Sequence, residues 1–247
     1  MAAFLMLALM ALIVGFFCGC TSIGGILLIP AIVLLSSLDI HQAMATALFS
    51  FALMSVLGTW LHHKKGSINW KQALPLCCGA MLCGYLGARA NSLFPPDWLR
   101  FILAGLILFA GLSTLRSTSH VRFDVTARSM RTQTIFLFLL GSFVGFMAGL
   151  TGVGGPVLSV PFMIGMGFAP LYSIAIGQPL QVIAGTSGSI ANILNGSIDY
   201  GMAFWVTLLE LLGFYMGIIA AYRMNAHWLR KIISGLCILT SLYLFVR

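Results

Sequence analysis

Charge is what this 247-residue chain has least of. Only 7% of its residues are Asp, Glu, Lys or Arg, and none of these occurs before Asp39. With 60% hydrophobic residues and a mean hydropathy of +1.04, it has too few polar groups to cover a water-soluble domain. The uncharged start also lacks the basic region of a cleavable signal peptide, so residues 1–38 are expected to persist as a first membrane element. The five acids (Asp39, Asp97, Asp124, Asp199, Glu210) offer no paired carboxylates, and four of them fall in loops or at helix ends. There is no HExxH, no phosphate-binding P-loop and no dinucleotide fingerprint. No catalytic residues, cofactor or metal are therefore expected. The six cysteines lie in apolar segments without CxxC spacing and read as packing residues.

What is present is a set of long apolar runs, at about 2–38, 43–61, 73–94, 98–115, 133–168, 171–195, 201–222 and 229–246. Most have the roughly 20 residues a spanning helix needs. The first and fifth are nearly twice as long, and each contains the same glycine stretch. Gly15, Phe16, Gly19, Thr21, Gly24 and Gly25 recur 130 residues later as Gly145, Phe146, Gly149, Thr151, Gly154 and Gly155.

Basic residues fix the expected orientation. Ten of the thirteen fall near Lys64–Lys71, Arg116–Arg131 and Arg223–Lys231, so these three loops are expected on the cytoplasmic side and nucleic acid is excluded as a partner. The acidic loop at Asp199 then lies outside, which leaves one crossing too many unless run five folds back as a hairpin; run one follows by analogy. The predicted fold is an all-α polytopic membrane protein of two inverted repeats, each a glycine-broken helical hairpin plus three transmembrane helices. The repeats are 1–115 and 133–247, joined by a cytoplasmic linker, 116–132. Gly66-Ser67-Ile68-Asn69-Trp70 in one repeat matches Gly196-Ser197-Ile198-Asp199-Tyr200 in the other.

Helices broken within a membrane turn unpaired backbone groups toward a cargo site between the repeats, and a helix that starts there favours an anion. The expected donors are the turn backbones at Gly24, Gly25, Gly152, Gly154 and Gly155, with hydroxyls from Thr21, Ser22 and Thr151. The competing account gives the glycines to close helix packing. On run six, Gln178, Gln181, Gly185, Ser189 and Asn192 share an arc of about 80°, a polar stripe able to donate to an oxyanion without burying formal charge. The matching positions of the first repeat, Leu48, Phe51, Ser55, Thr59 and His62, are less polar, so the site should lean on the second repeat. Thr186 and Ser187 lie off the stripe and are expected to bond their own helix. Glu210, alone near the middle of run seven, must be protonated, paired or wet, and is a candidate carrier of a coupling proton.

The doubled GxxxGxTxxGG, the half-length of about 130 residues, the GSIxW/Y segments and the basic linker together resemble the TauE/SafE sulfite exporter family across essentially the whole chain. The family often has a small-Thr-Ser sequence in the helix after the hairpin. Here Ala45-Thr46-Ala47 and Ile176-Gly177-Gln178 stand in its place, next to the expected site. The resemblance implies a multi-pass secondary transporter in the bacterial inner membrane that moves sulfite, an organosulfonate or a related anion. The expected partners are that small inorganic or organic anion, membrane lipid, a coupling proton or sodium ion, and a second copy of the chain. From the residues alone, a carrier of a cation or neutral solute and a non-transporting membrane subunit stay open.

Overall fold

A computed structural model describes residues 2–22, 28–95, 97–98, 101, 104–105, 108, 111–112, 129–195 and 197–246. Gly24, Gly25 and most of the expected linker (116–132) lie outside the described residues. The described chain is helical, with no strand. The helices are α1 (Ala2–Thr21), α2 (Leu28–Leu35), α3 (Ile40–Lys64), α4 (Trp70–Ala90), α5 (Met130–Thr151), α6 (Pro156–Gly165), α7 (Pro170–Leu194), α8 (Tyr200–Arg223) and α9 (Ala226–Val246). Described residues between 97 and 112 are helical where the fourth apolar run was expected. Among the described residues, α3, α4, α5 and α8 are long and apolar enough to cross a membrane. α7 is as long as α3, at 25 residues, but it carries the polar stripe.

Side chains are distributed for lipid rather than water. Large apolar residues such as Leu82 on α4, Leu139 on α5 and Leu212 on α8 are exposed, while small residues and hydroxyls fill the contacts between helices. In hydrocarbon, helices gain nothing from hiding Leu and must associate through close packing and hydrogen bonds. Two glycine-lined seams do this. Where α1 meets α8, a Cβ on Gly15 or Gly19 would strike the backbone of Glu210 or Phe214, and one on Gly213 or Gly217 would strike Leu12 or Phe16. Where α4 meets α5, Gly145 and Gly149 sit equally close to Ala80 and Gly84. The first two glycines of each repeated motif therefore serve packing.

The same pairings give helix directions. Positions along α1 and α8 rise together (15 with 210, 19 with 214), as do those along α4 and α5 (80 with 145, 84 with 149), so both pairs are parallel. α3 and α8 are parallel as well, since Ser50 bonds Glu210 and His62 bonds Tyr222. α3 and α7 run antiparallel, with Gly58 against Gln178 and Leu48 against Gly188. α9 joins the fourth run through hydroxyl bonds from Ser234 to the Gly111 carbonyl and from Ser241 to that of Ala104, again antiparallel.

Both motif segments break their helix. α1 ends at Thr21 and α2 starts at Leu28; α5 ends at Thr151 and α6 starts at Pro156. Gly152 (φ 69°) and Gly154 (φ 56°) take left-handed backbone, where an L side chain is strained. Pro156 opens α6, at a position where its missing N–H is no loss. The hairpin is unequal. α5, with 22 residues, is about 33 Å long and can cross a bilayer alone, whereas the 10 residues of α6 reach about 15 Å. α5 ends beside the start of α3, where Gly152 faces Met44. The break then carries the chain back to the middle of α7, where Gly155 meets Gln181.

Candidate functional site

At mid-length of α3 and α7 the two breaks face one cavity. Ser22 comes from the end of α1, Gly154, Pro156 and Val157 from the start of α6, and Gln178 and Gln181 from α7. Phe51, Met54 and Ser55 of α3, Cys18 of α1 and Phe214 of α8 complete it. Among these lining residues none is charged. The space open to the centre of a water molecule is about 20 Å³, enough for one or two waters.

The two glutamines lie three positions apart on α7 and reach different breaks. Gln178 Nε2 donates to Ser22 Oγ at 2.7 Å, and Gln181 Oε1 accepts from the Gly155 N–H at 2.5 Å. Both side chains are 2% exposed. Gln178 Oε1 and Gln181 Nε2 are buried without a hydrogen-bond partner. A buried amide that leaves donors unused costs free energy unless a guest takes them. Ser22 has φ 61°, the counterpart of Gly152 130 residues on, and holds this left-handed backbone despite its side chain. Such an outlier costs about 1 kcal/mol or more.

The hairpin backbone offers fewer free N–H groups than the motif suggests. Gly152 N–H donates to Ala148 O, Val153 N–H to Thr151 Oγ1, Val157 N–H to Gly154 O and Leu158 N–H to Gly155 O. The motif threonines behave alike: Thr21 Oγ1 donates to Phe17 O at 2.8 Å and Thr151 Oγ1 to Met147 O at 2.7 Å. Their protons close the last turns of α1 and α5, the usual competition between hydroxyl and helix.

The stripe on α7 divides by depth. Gln178 and Gln181 line the cavity, with Gly185 packed on Ala52 of α3. Ser189 is buried farther along, its hydroxyl unpartnered. Asn192 lies 11 residues beyond Gln181, about 16 Å along the helix, in a separate polar pocket with His41, Asn91, Asn195 and Ser197. Off the stripe, Thr186 bonds its own helix at Val182 O. Ser187 instead crosses to Met81 O of α4 at 2.6 Å, which corrects the expectation of a local bond. Glu210 is fully buried outside the cavity. Ser50 of α3 bonds its Oε2, Thr207 lies 2.9 Å from Ser50, and Oε1 has no partner. Of the remaining lining residues, Phe51 and Ser55 occupy first-repeat positions equivalent to Gln181 and Gly185, so the internal repeat marked them. Cys18, Met54 and Phe214 carried no signal of their own.

A break-lined pocket between glycine seams is a transporter's arrangement, and comparison with known proteins decides whose. Residues 7–244 match the sequence model of the sulfite exporter TauE/SafE. The chain belongs to the TauE/SafE family. It is 28% identical to the probable membrane transporter protein ORF9 of Sinorhizobium sp, over 99% of this chain and 91% of that one. It is 25% identical to YdhB of Bacillus subtilis (strain 168), over 86% and 88%, and 23% identical to MJ0441 of Methanocaldococcus jannaschii, over 98% and 97%; both are named probable membrane transporter proteins. No solved structure matches the chain. This TauE/SafE member is thus a multi-pass membrane transporter, with relatives named for transport rather than catalysis.

Proposed function

We propose that this TauE/SafE protein is a secondary transporter that carries a small sulfur-containing oxyanion, sulfite or an organosulfonate, across the bacterial inner membrane by alternating access. The observation that carries this is the unpartnered Gln181 Nε2 beside an uncharged cavity at the α6 N-terminus. The amide hydrogens and the positive end of the α6 dipole favour an anion, and no lysine or arginine is present to hold it too tightly for release. The cavity admits water but is smaller than a sulfonate group, so it must widen toward one side to load.

The two repeats are read as inverted with respect to the membrane. In support, α1 pairs with α8 and α5 with α4, which exchanges equivalent helices of the two repeats. α1, α3 and α8 run one way, while α4, α5 and α7 run the other. Repeats of equal orientation would make α1 antiparallel to α8. Asn69 and Asp199, at equivalent positions, each cap the following helix, accepting from Lys71 N–H and Met202 N–H.

A thermal-shift panel on purified protein, with sulfite, methanesulfonate, sulfate and divalent metal ions, tests the substrate class. Stabilisation by sulfite or methanesulfonate and uptake of the same anion into proteoliposomes are expected. Stabilisation by metal ions alone would overturn the anion reading in favour of a cation carrier.

A further inference from the structure

Three hydrogen-bond contacts run in line across α8 and α3: Ala203 O to Thr207 Oγ1 at 2.6 Å, Thr207 Oγ1 to Ser50 Oγ at 2.9 Å, and Ser50 Oγ to Glu210 Oε2. Thr207 Oγ1 donates toward both Ala203 O and Ser50 Oγ, and Ser50 Oγ donates to Glu210 Oε2. Glu210 Oε1 is buried without a partner. An ionised carboxylate buried against a single hydroxyl donor is costly, and a proton on Glu210 removes that cost. All three side chains are buried, Glu210 and Ser50 completely.

This proton store adjoins the anion cavity. Phe51 follows Ser50 in α3, Phe214 lies one turn beyond Glu210 in α8, and both line the cavity. We infer that Glu210 carries the proton that couples transport, with Ser50 and Thr207 as positioning residues that hold it while the anion is bound. The inference rests on the anion reading above. An anion in the cavity meets no cation in the lining, so a carboxylate one turn away would repel it and weaken binding on the order of tenfold. By linkage, a bound anion favours the protonated carboxyl to the same degree. One proton moving with one monoanion also makes the loaded carrier neutral, so its crossing is not opposed by the membrane potential.

Among the described residues no other titratable group competes at this position. α1, packed on the same stretch of α8, has no acid or base, and its thiol Cys18 lies in the cavity lining while Cys20 turns to Met224. On α3 the titratable side chains are His41, nine residues before Ser50, and His62, His63 and Lys64, twelve or more beyond it; His62 is engaged with Tyr222. On α8, Tyr200, Tyr215, Tyr222 and Arg223 are each at least five residues from Glu210. The equivalent position in the first repeat is Ala80, so the carboxyl has no counterpart there.

Methanesulfonate is the suitable probe, because its own charge does not change across the neutral range. In the wild type, its affinity by thermal shift should fall on the order of tenfold as the pH rises and Glu210 releases its proton. Glu210→Gln, which can still accept from Ser50 but cannot ionise, should make that affinity independent of pH. It should also abolish the acidification of the liposome lumen that accompanies methanesulfonate uptake. Ser50→Ala should move the midpoint of the pH profile while leaving the limiting affinity unchanged. Infrared spectroscopy should show a protonated-carboxyl band in the wild type at neutral pH that Glu210→Gln lacks. A pH-independent affinity in the wild type, acidification that persists in Glu210→Gln, or no difference in the infrared band would each overturn the inference while leaving anion transport standing. Failure of wild-type protein to bind either sulfite or methanesulfonate would instead overturn the anion reading, and the coupling with it.

Discussion

Replacing Gln181 by leucine separates what this side chain does for the fold from what it does for the cargo. In the empty protein the substitution bares the Gly155 N–H, at a cost of about 1–3 kcal/mol, but it also removes a buried NH₂ group that has no partner, a gain of the same order. The two nearly cancel, so the melting temperature should change by less than about 8 °C, the shift expected for about 2 kcal/mol in a chain of this size. The proposed anion contact has no such compensation. A hydrogen bond to a charged acceptor is worth about 1.5–3 kcal/mol, so the half-saturating methanesulfonate concentration should rise roughly 10- to 150-fold. Gln181→Glu sharpens the test, since a carboxylate still accepts from Gly155 yet repels the anion, and should bind more weakly still. Asn192→Leu, in the separate pocket about 16 Å away, should leave the titration where it is. The assay is thermal shift against methanesulfonate concentration. Equal half-saturation in wild type and Gln181→Leu would refute the assignment of Gln181 as an anion donor.

Gly149→Leu should cost more than about 3 kcal/mol, because its Cβ would meet the Gly84 carbonyl of α4, which backbone packing cannot relieve; an unchanged melting temperature would show that the seam can open. Cysteines placed singly at Ser67 and Ser197, in a background without the native cysteines, should react with a membrane-impermeant maleimide from opposite faces of oriented vesicles. Labelling of both from one face would remove the inverted arrangement.

The helix breaks were legible because a doubled glycine motif in an over-long apolar run has few other uses. The polar face of α7 was legible because 100° per residue places Gln178 and Gln181 on one side. Angle carries no depth, however, and so Asn192 shares the face but not the cavity. The two threonines looked like donors by residue type, yet a hydroxyl at the last turn of a helix has a carbonyl four residues back within reach, and both took it. The Ser50–Thr207–Glu210 chain joins residues more than 150 positions apart, a pairing between helices that periodicity within one helix cannot reveal. Ser187 was misread for the same reason, its partner being on α4.

The glycine seams carry a consequence for motion. Where main chains touch over two or three turns there is no layer of side chains to slide, so α1 with α8, and α4 with α5, act as two stiff girders, each assembled from both repeats. α3 and α7, which cross between them through Leu48, Ala52 and Gly58 on one side and Gly188, Gly185 and Gln178 on the other, are left as the joint. In the alternating access proposed above, the moving boundary would therefore cut across the internal repeat instead of following it. The glutamines of α7, gripping one break apiece, would feel either girder tilt.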